Sequence, residues 1–381
     1  MTTCQALTAV ADEVGQTFYQ REAVAQSLVA AAVAREHVLL LGPPGTGKSE
    51  IVREFTARLD GARLFDWLLT KYSQPDELFG PISITAFKEG RFERLTTGKL
   101  PECEVAFLDE VFKANGAILN ALLMLANERR FHNGRVATDV PLRLIVGASN
   151  ELPDGDDLGA FYDRFLVRHW IDPIRGMTPW CDLMRHGKPD AGTTRVALDD
   201  LDAAHQEAMA LTVDGGVVEA AYKLKMELEQ QGVVASDRRW VKAFKLARAM
   251  AWLDGSNAVE TEHCRCWQTV LWNDPEQAQT VATAVRNLTS PNLTKAIELF
   301  DAIAPRLSEA ELATDDDIEV KAAPLTADGK RVLRNLQDLH KRETSKSTRK
   351  RIKAIGTDLR DRLKAVRARV SKAYHLDEVD F

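Results

Sequence analysis

Residues 38–49 read VLLLGPPGTGKS, an apolar run that leads directly into a glycine- and proline-rich turn. The turn fits the P-loop pattern GxxxxGK[ST], and it stands where that pattern has meaning, between a strand and an amphipathic helix. Glycines let backbone amides turn toward a phosphate, the lysine reaches the terminal phosphates, and the serine hydroxyl holds Mg²⁺. We therefore expect a nucleotide to be bound by Gly42, Pro43, Pro44, Gly45, Thr46, Gly47, Lys48 and Ser49.

Outward from this turn, short apolar runs alternate with segments of helical spacing. Besides 38–41, we expect strands at 64–69, 105–108, 142–146 and 165–171. Parallel strands need crossover connections, and these bury both faces of the sheet. The sequence predicts an α/β fold, with a mostly parallel sheet between helices. Two helices over residues 1–36 lead into the first strand.

The domain boundaries are placed where these signals change. Strand patterns stop after Ile171, the segment ELATDDDIEVKAAP is acidic without apolar periodicity, and an apolar stripe of coiled-coil type begins near Ile352. We predict a nucleotide-binding core at 1–175, an all-helical lid at 176–308, a linker at 309–324 and a basic helical C-terminal extension at 325–381.

Composition narrows the classes of protein. Of 381 residues 45% are apolar, and no run approaches the roughly 18 apolar residues of a membrane span. The first twenty residues lack the pattern of a secretory signal. Five irregularly spaced cysteines fit a reducing compartment. These features predict a soluble cytoplasmic protein without a membrane span.

Charge is distributed unevenly along the chain. Between Lys330 and Lys372 there are 16 Lys or Arg residues and 4 Asp or Glu residues, a local balance of +12 within a chain of net charge -6. A basic helix of this kind binds nucleic acid in some proteins. More often it is the solvated face of a coiled coil or a dock for an acidic partner.

An apolar strand at 105–108 ends in two carboxylates, Asp109 and Glu110. Taken alone, such a pair is more often a helix N-cap. Behind a P-loop it suits phosphoryl transfer, with Asp109 in the Mg²⁺ shell beside Ser49 and Glu110 polarising a water against the γ-phosphate. The pair predicts an ATPase, which converts ATP and water to ADP and phosphate.

Two further polar residues are candidates for the same reaction. Asn150 follows another apolar strand, where a polar side chain faces the ligand crevice and orients the attacking water, or else caps the following turn. Arg164 stands between aromatic residues and is a candidate for an arginine supplied to a neighbouring subunit, with a surface salt bridge as the alternative. Arg129, Arg130 and Arg168 are weaker competitors for that role.

Taken together, these segments resemble the MoxR family of AAA+ ATPases, and most closely its RavA-like branch. The resemblance covers roughly residues 15–290, and its most specific stretches are SQPDELFGPISI, GRFERLTTGKLPE, VAFLDEVFKA, LLMLANERRFHNG, GAFYDRFLVR and SDRRWVKAFKLARA. It implies the strand order 5-1-4-3-2 and a helical lid. It also implies two insertions, one within 79–100 and a hairpin around 131–141, which could line the central pore of a ring.

The same resemblance assigns two arginines. Arg164 corresponds to the arginine finger that acts in trans, and Arg238 to the sensor 2 arginine of the lid, with Arg239 as the adjacent alternative and a salt bridge as another. The family is thought to act as a chaperone-like remodeller of protein clients, as a homo-oligomer of six subunits, often beside a partner with a von Willebrand factor A domain. ATP and Mg²⁺ are the expected ligands. A nucleic-acid-acting motor and a slow nucleotide-gated scaffold are the alternatives.

Overall fold

Five short apolar segments form one parallel sheet at the centre of the nucleotide-binding region. The strands are β1 (His37–Leu41), β2 (Leu64–Leu68), β3 (Val105–Asp109), β4 (Leu144–Ser149) and β5 (Phe165–Trp170). Their order across the sheet is β2-β3-β4-β1-β5. Because every neighbouring pair is parallel, this confirms the predicted fold class and, read in the opposite direction, the predicted strand order.

The protein is seen as a computed structural model that describes residues 1–152, 159, 161–189, 192–314, 317–343 and 346–373. It divides into two units, Met1–Val281 and Ala282–Phe381. Within the described ranges, no helix combines the length and apolarity that crossing a bilayer requires.

The register of the sheet defines two opposite edges. His37 at the start of β1 pairs with Phe165 at the start of β5, and Leu41 at the end of β1 pairs with Ser149 and Trp170. We call the side where the strands begin the amino edge and the side where they end the carboxyl edge. A strand of five or six residues separates the edges by roughly 15–20 Å.

Helices cover the sheet and form the lid. In the first unit they are α1 (Thr3–Thr17), α2 (Glu22–Ala34), α3 (Lys48–Ala57), α4 (Pro75–Phe79), α5 (Ile84–Lys88), α6 (Gly116–Glu128), α7 (Met177–His186), α8 (Leu198–Ala210), α9 (Gly215–Gln230) and α10 (Asp237–Leu253). Single 3₁₀ segments lie at Leu100–Glu102, Val111–Lys113 and Thr261–Thr269. The alanine-rich helix α2 is buried along most of its length, because small side chains let neighbouring elements approach from several sides.

The sequence pattern predicted that strands stop after Ile171, but the structure has two further strand pairs that involve later residues. Val196–Ala197 pairs with Leu59–Asp60, and Thr212–Val213 pairs with Ala258–Val259. Each is only two residues long, so no alternation of apolar and polar residues can develop that would indicate it in a sequence.

The expected hairpin in the second insertion is present. Its antiparallel strands are Arg130–Asn133 and Val136–Asp139. The Asn133 side chain accepts from the Arg94 backbone N–H (2.6 Å) and donates to the Arg94 carbonyl (3.0 Å). Phe131 stacks on Phe79, with 5.7 Å between ring centroids. The two predicted insertions therefore contact each other.

The second unit is a helical bundle around its own apolar core. After α11 (Pro275–Thr289), which spans the boundary, it contains α12 (Pro291–Asp301), α13 (Ala304–Glu311), α14 (Ile318–Arg342) and α15 (Lys346–Ala373). The predicted stripe at Ile352, Leu359 and Leu363 is buried against residues that include Leu336 and Leu293. The stripe thus packs within a bundle that begins before residue 325.

The segment predicted as a linker, 309–324, is largely helical in the described residues. Its first residues end α13, and from Ile318 onward it forms the beginning of α14, with Pro324 inside the helix. Ile318, Ala322 and Leu325 are buried at helical spacing. The acidic run before them conceals this short apolar face in the sequence.

Candidate nucleotide site

The turn after β1 has the backbone geometry that a phosphate-binding loop needs. Gly42, Gly45 and Gly47 all have positive φ angles (138°, 76° and 82°), which side chains on Cβ disfavour. At Gly42 a Cβ would lie 2.2 Å from the Ile171 carbonyl oxygen. Gly47 is the N-cap of α3, so the first backbone amides of that helix face the turn and favour an anion.

Lys48 is the cation of this turn and is nearly buried. Its Nζ donates to the carbonyl oxygens of Gly42 (2.8 Å) and Pro43 (2.9 Å), and to Oδ1 of Asn150 (3.4 Å). Burial lowers the pKa of Lys48, while the charges of Asp109 and Glu110 act in the opposite direction. The ammonium is therefore held at the mouth of the turn by groups that phosphate oxygens can replace.

Glu110 follows the end of β3 in an uncommon conformation, with φ at 52°. Non-glycine residues in this left-handed region are concentrated at functional sites. Its Oε1 accepts from Nδ2 of Asn150 (2.7 Å), and its backbone N–H donates to Oδ1 of Asp109 (3.0 Å). Oε2 lies 3.3 Å from Nζ of Lys113, yet it is buried without an aligned hydrogen bond. That oxygen keeps the capacity to accept from a water.

Asn150 connects the two motifs. Its amide lies between Lys48 and Glu110 and bonds to both side chains. The structure thus brings together, at the carboxyl edge, predicted residues that are more than 100 positions apart in the chain.

The residues expected to hold a metal are oxygen donors at the same edge. Ser49 lies in the first turn of α3 and Asp109 ends β3. One hydroxyl and one carboxylate, completed by phosphate oxygens and water, suit Mg²⁺. Clusters of three or more His, Cys, Asp or Glu residues of metal-binding geometry are absent from the residues that the structure describes.

A cavity of about 440 Å³ opens beside the phosphate turn. Its lining includes Phe18 and Tyr19 after α1, Ile174, and Trp180 and Met184 of α7. Apolar and aromatic walls next to a phosphate site suit a nucleotide base. Sequence analysis missed these residues because they come from segments without a motif.

Arg21 fixes the edge of this cavity. Its guanidinium donates to the carbonyl oxygens of Asp172 (2.7 Å) and Thr46 (3.4 Å). It therefore ties the segment after α1 to the phosphate turn itself.

Arg164 lies at the opposite edge of the sheet, because it directly precedes β5. Its Nε is buried without a hydrogen-bond partner in the described part of the chain. Burial lowers the pKa of Arg164, and the charge of Arg238 lowers it further. The charge of Asp163 acts in the opposite direction, so two arginines and one carboxylate share this region.

The competing arginines are occupied elsewhere. Arg168 is fully buried, where Nη1 donates to the Trp272 carbonyl (2.7 Å) and burial lowers its pKa to about 9. Arg129 donates to the Arg35 carbonyl (2.7 Å) and to that of Leu142. Arg130 forms an ion pair with Asp139 in the hairpin.

Two adjacent arginines of α10 differ in their surroundings. Arg238 is exposed and donates to Oδ1 of Asn127 (3.1 Å). Arg239 is buried and bound to Asp163 (2.5 Å) and Asn273. Of the two sensor 2 candidates, only Arg238 has a guanidinium that a ligand can reach.

Comparisons with known proteins agree with this fold. Residues 5–205 match the family model described as the MoxR domain in the MoxR-vWA-beta-propeller ternary systems, and residues 216–285 match an AAA lid domain. The chain resembles the crystal structure of a candidate ATPase from Cytophaga hutchinsonii, with a TM-score of 0.61 and 19% identity over 74% of this chain and 94% of that one. That likeness shows the fold.

Two uncharacterized proteins of Methanocaldococcus jannaschii are similar in sequence. MJ0812 is 34% identical over 82% of this chain and 83% of its own length. MJ0079 is 35% identical over 74% of each chain. Fold and lid define the class of protein, an AAA+ ATPase. Within that class, the chain belongs to the MoxR family.

Proposed function

We propose that this chain forms a ring that hydrolyses ATP between subunits and uses the energy to remodel a protein client. The supporting observation is the placement of the site residues on one sheet. Lys48, Asp109 and Asn150 lie at the carboxyl edge, whereas Arg164 lies at the amino edge. The roughly 15–20 Å between the edges exceeds the reach of a side chain. Arg164 therefore serves the nucleotide of another subunit.

At the carboxyl edge, each group has a distinct role in this proposal. The backbone of 42–49 and Lys48 bind the phosphates, and Asn150 orients the attacking water. Glu110 accepts a hydrogen bond from that water through Oε2, which lacks an aligned hydrogen bond, and takes its proton as the bond to phosphorus forms. Ser49 and Asp109 would hold Mg²⁺, which would neutralise phosphate charge when bound.

Arg238 belongs with Arg164 in this scheme. Its partner Asn127 follows Ala126, whose carbonyl accepts from His37 at the start of β1. This contact lies on the amino side of the sheet. We assign Arg238, like Arg164, to the adjoining subunit's nucleotide, where both stabilise charge that develops on the transferred phosphoryl group.

A site divided in this way requires a head-to-tail interface. Such an interface, repeated with rotation, closes into a ring. Six subunits is the number that the family resemblance implies.

The client surface that we propose consists of the two insertions. Exposed apolar side chains lie there, namely Ile84, Phe87, Phe92, Leu95 and Val136. Nearby arginines are paired, Arg91 with Glu89 and Arg94 with Asp76. An apolar surface with internally paired charge suits an apolar polypeptide segment better than a phosphate backbone.

The partner proposal rests on the family. The matching family model is named after ternary systems of MoxR, vWA and beta-propeller proteins, so we propose a partner with a von Willebrand factor A domain. Membership of the RavA-like branch and a cytoplasmic location stay predictions from the sequence.

A mixing experiment tests the shared site. Arg164→Ala and Glu110→Gln damage opposite edges, so each homogeneous protein is expected to be inactive. In a 1:1 mixed assembly about one interface in four joins two intact halves. ATPase activity should then return to about a quarter of the wild-type value. If mixed and homogeneous proteins are equally inactive although subunits exchange, the shared site is wrong.

The two alternatives stay predictions. For a nucleic-acid motor, several arginines of the second unit are already used within it, such as Arg362 with Glu311 and Arg306 with Asp328. Binding of the whole chain to DNA or RNA, measured against salt concentration, would reveal a phosphate-dependent contact. For a slow scaffold, turnover with and without a client is the deciding measurement.

A further inference from the structure

An ion pair between a buried arginine and a partly exposed aspartate joins the two segments that carry the arginines proposed to act in trans. Asp163 precedes Arg164, and Arg239 follows Arg238. Nη2 of Arg239 lies 2.5 Å from Oδ1 of Asp163, and the Arg239 side chain is 5% exposed. Its Nη1 donates to Oδ1 of Asn273 and to the Trp272 carbonyl. The guanidinium is thus fixed from two directions.

Other contacts bind the same segments together. The Tyr162 hydroxyl donates to the Asn273 carbonyl (2.7 Å), and Arg168 donates to the Trp272 carbonyl (2.7 Å). The Arg168 guanidinium also lies over the Tyr162 ring, 3.8 Å from its centroid. Residues 162–168 are therefore anchored to the lid both before and after Arg164. These contacts join residues 162–168 and the lid into one rigid frame.

This frame keeps two arginines of like charge close together. Arg164 and Arg238 repel each other, since the charge of one lowers the pKa of the other. Free side chains of like charge would separate. Both must nevertheless point to one nucleotide in the adjoining subunit. The backbone on which each side chain stands is held by the adjacent, oppositely charged pair.

We infer that Asp163 and Arg239 are positioning residues for ATP hydrolysis in the adjoining subunit, because their ion pair sets Arg164 and Arg238 at the spacing that the reaction requires. The inference rests on the proposed trans role of those two arginines. It adds that the lid of one subunit controls turnover at its neighbour's site through this pair.

Asp163→Asn and Arg239→Gln in the full chain test the inference. Each should bind a fluorescent ATP analogue within about twofold of wild type, because the phosphate turn of the same subunit is untouched. We expect turnover to fall by about 10- to 100-fold, as expected when a charged contact to the transition state is misplaced. Mixed with Glu110→Gln, whose amino edge is intact, each should recover activity.

Two controls separate positioning from general support. A mixture of Arg239→Gln with Arg164→Ala has no intact amino edge and should stay inactive. Lys245→Gln removes a different ion pair of α10, to Glu36 (2.6 Å), without touching the arginine segments, and should keep wild-type turnover. Equal loss in Lys245→Gln would mean that lid attachment in general matters, and the inference would be overturned.

The remaining outcomes are also decisive. Wild-type turnover in both Asp163→Asn and Arg239→Gln rules out positioning. Inactive variants that do not recover with Glu110→Gln, while Arg164→Ala does recover, show a role within the same subunit and also overturn it. If a mixture of Arg164→Ala and Glu110→Gln does not recover ATPase activity, the proposed function is wrong instead. Should Arg239→Gln not fold by circular dichroism, Arg239→Lys keeps the charge and is judged by the same recovery.

Discussion

The two edges of the central sheet differ in how fully their polar groups are used. At the carboxyl edge, Glu110 has a buried oxygen without an aligned hydrogen bond, and its backbone is left-handed. At the amino edge, His37 uses both ring nitrogens, accepting from Ile145 N–H and donating to the Ala126 carbonyl (3.1 Å each). Arg164 is the exception there, with a buried Nε that lacks a partner among the described residues. The unused capacity of Glu110 and Arg164 thus coincides with the roles proposed for them, whereas the fully bonded His37 helps to hold the fold.

The largest effect is expected from removing the exception at the amino edge. Arg164→Ala should lower turnover by about 10³-fold or more, since an arginine finger contributes roughly 10³–10⁵ to the rate. Affinity for an ATP analogue should change little, because the phosphate turn lies at the other edge. Steady-state ATPase assays with equilibrium binding check this. A fall in affinity without a fall in the maximal rate would contradict the trans assignment.

The next effect comes from the carboxyl edge. Glu110→Gln should lower kcat by about 10²–10⁴-fold, because the amide cannot accept the proton of water. The Asn150 contact and nucleotide binding should persist, so the variant traps ATP. Single-turnover measurements separate binding from chemistry. Lys113→Gln, which removes only the cation beside Oε2, is the matched control and should lose far less activity.

A smaller effect is expected from Arg238. Its exposed guanidinium makes one side-chain hydrogen bond within the described residues, so Arg238→Ala should leave the fold intact. A lost charged hydrogen bond of about 1.5–3 kcal/mol lowers kcat/KM by about 10- to 100-fold. Asn127→Ala removes the same contact but keeps the charge. If both variants lose equal activity, the contact with Asn127 matters and not the guanidinium.

The smallest effect is the pH dependence of the free energy of unfolding that His37 at the amino edge produces. Burial lowers the pKa of His37 to about 3, whereas an unfolded histidine titrates near pH 6.5. Above pH 6.5 both states are neutral and nothing changes. Between pH 6.5 and about pH 3 the unfolded state binds a proton that the folded state does not bind. The free energy of unfolding therefore decreases as the pH is lowered through this range. The loss at pH 5 is about 2 kcal/mol.

His37→Gln should therefore reduce the pH dependence of the free energy of unfolding between pH 7.5 and 5. Denaturant titrations at several pH values measure it, and His132→Gln in the exposed hairpin is the control. If the free energy of unfolding of His37→Gln depends on pH as steeply as that of the wild type, the buried His37 does not govern stability in acid.

The sequence predicted the sheet and the phosphate turn well, because both depend on local signals. The short apolar run before Gly42, bounded by a Gly/Pro turn, indicates a buried strand, and the glycines favour a turn with positive φ angles. The placement of Asp109 and Asn150 at one edge could be predicted because the ends of parallel strands share that edge. These inferences required no knowledge of long-range contacts.

Other features depend on contacts that no local pattern encodes. The burial of Arg239 beside exposed Arg238 follows from where α10 meets Asp163, 76 positions away. The cavity beside the phosphate turn is lined by both Phe18 and Trp180, which lie even further apart in the chain. The helical start of α14 was concealed because its buried residues lie among acidic ones. In each case tertiary packing, and not residue type, selects the structure.

The clasp between Asn133 and Arg94 has a mechanical consequence. Two hydrogen bonds tie the hairpin to the preceding insertion. The Arg94 side chain also forms an ion pair with Asp76 of α4. In the same helix, Glu77 accepts from the Trp67 indole of β2 (3.1 Å). Tension applied at the hairpin tip is thereby carried through α4 into the rigid sheet. A client that pulled on either insertion would load both, and β2 lies beside β3, the strand that leads to the two carboxylates proposed for catalysis.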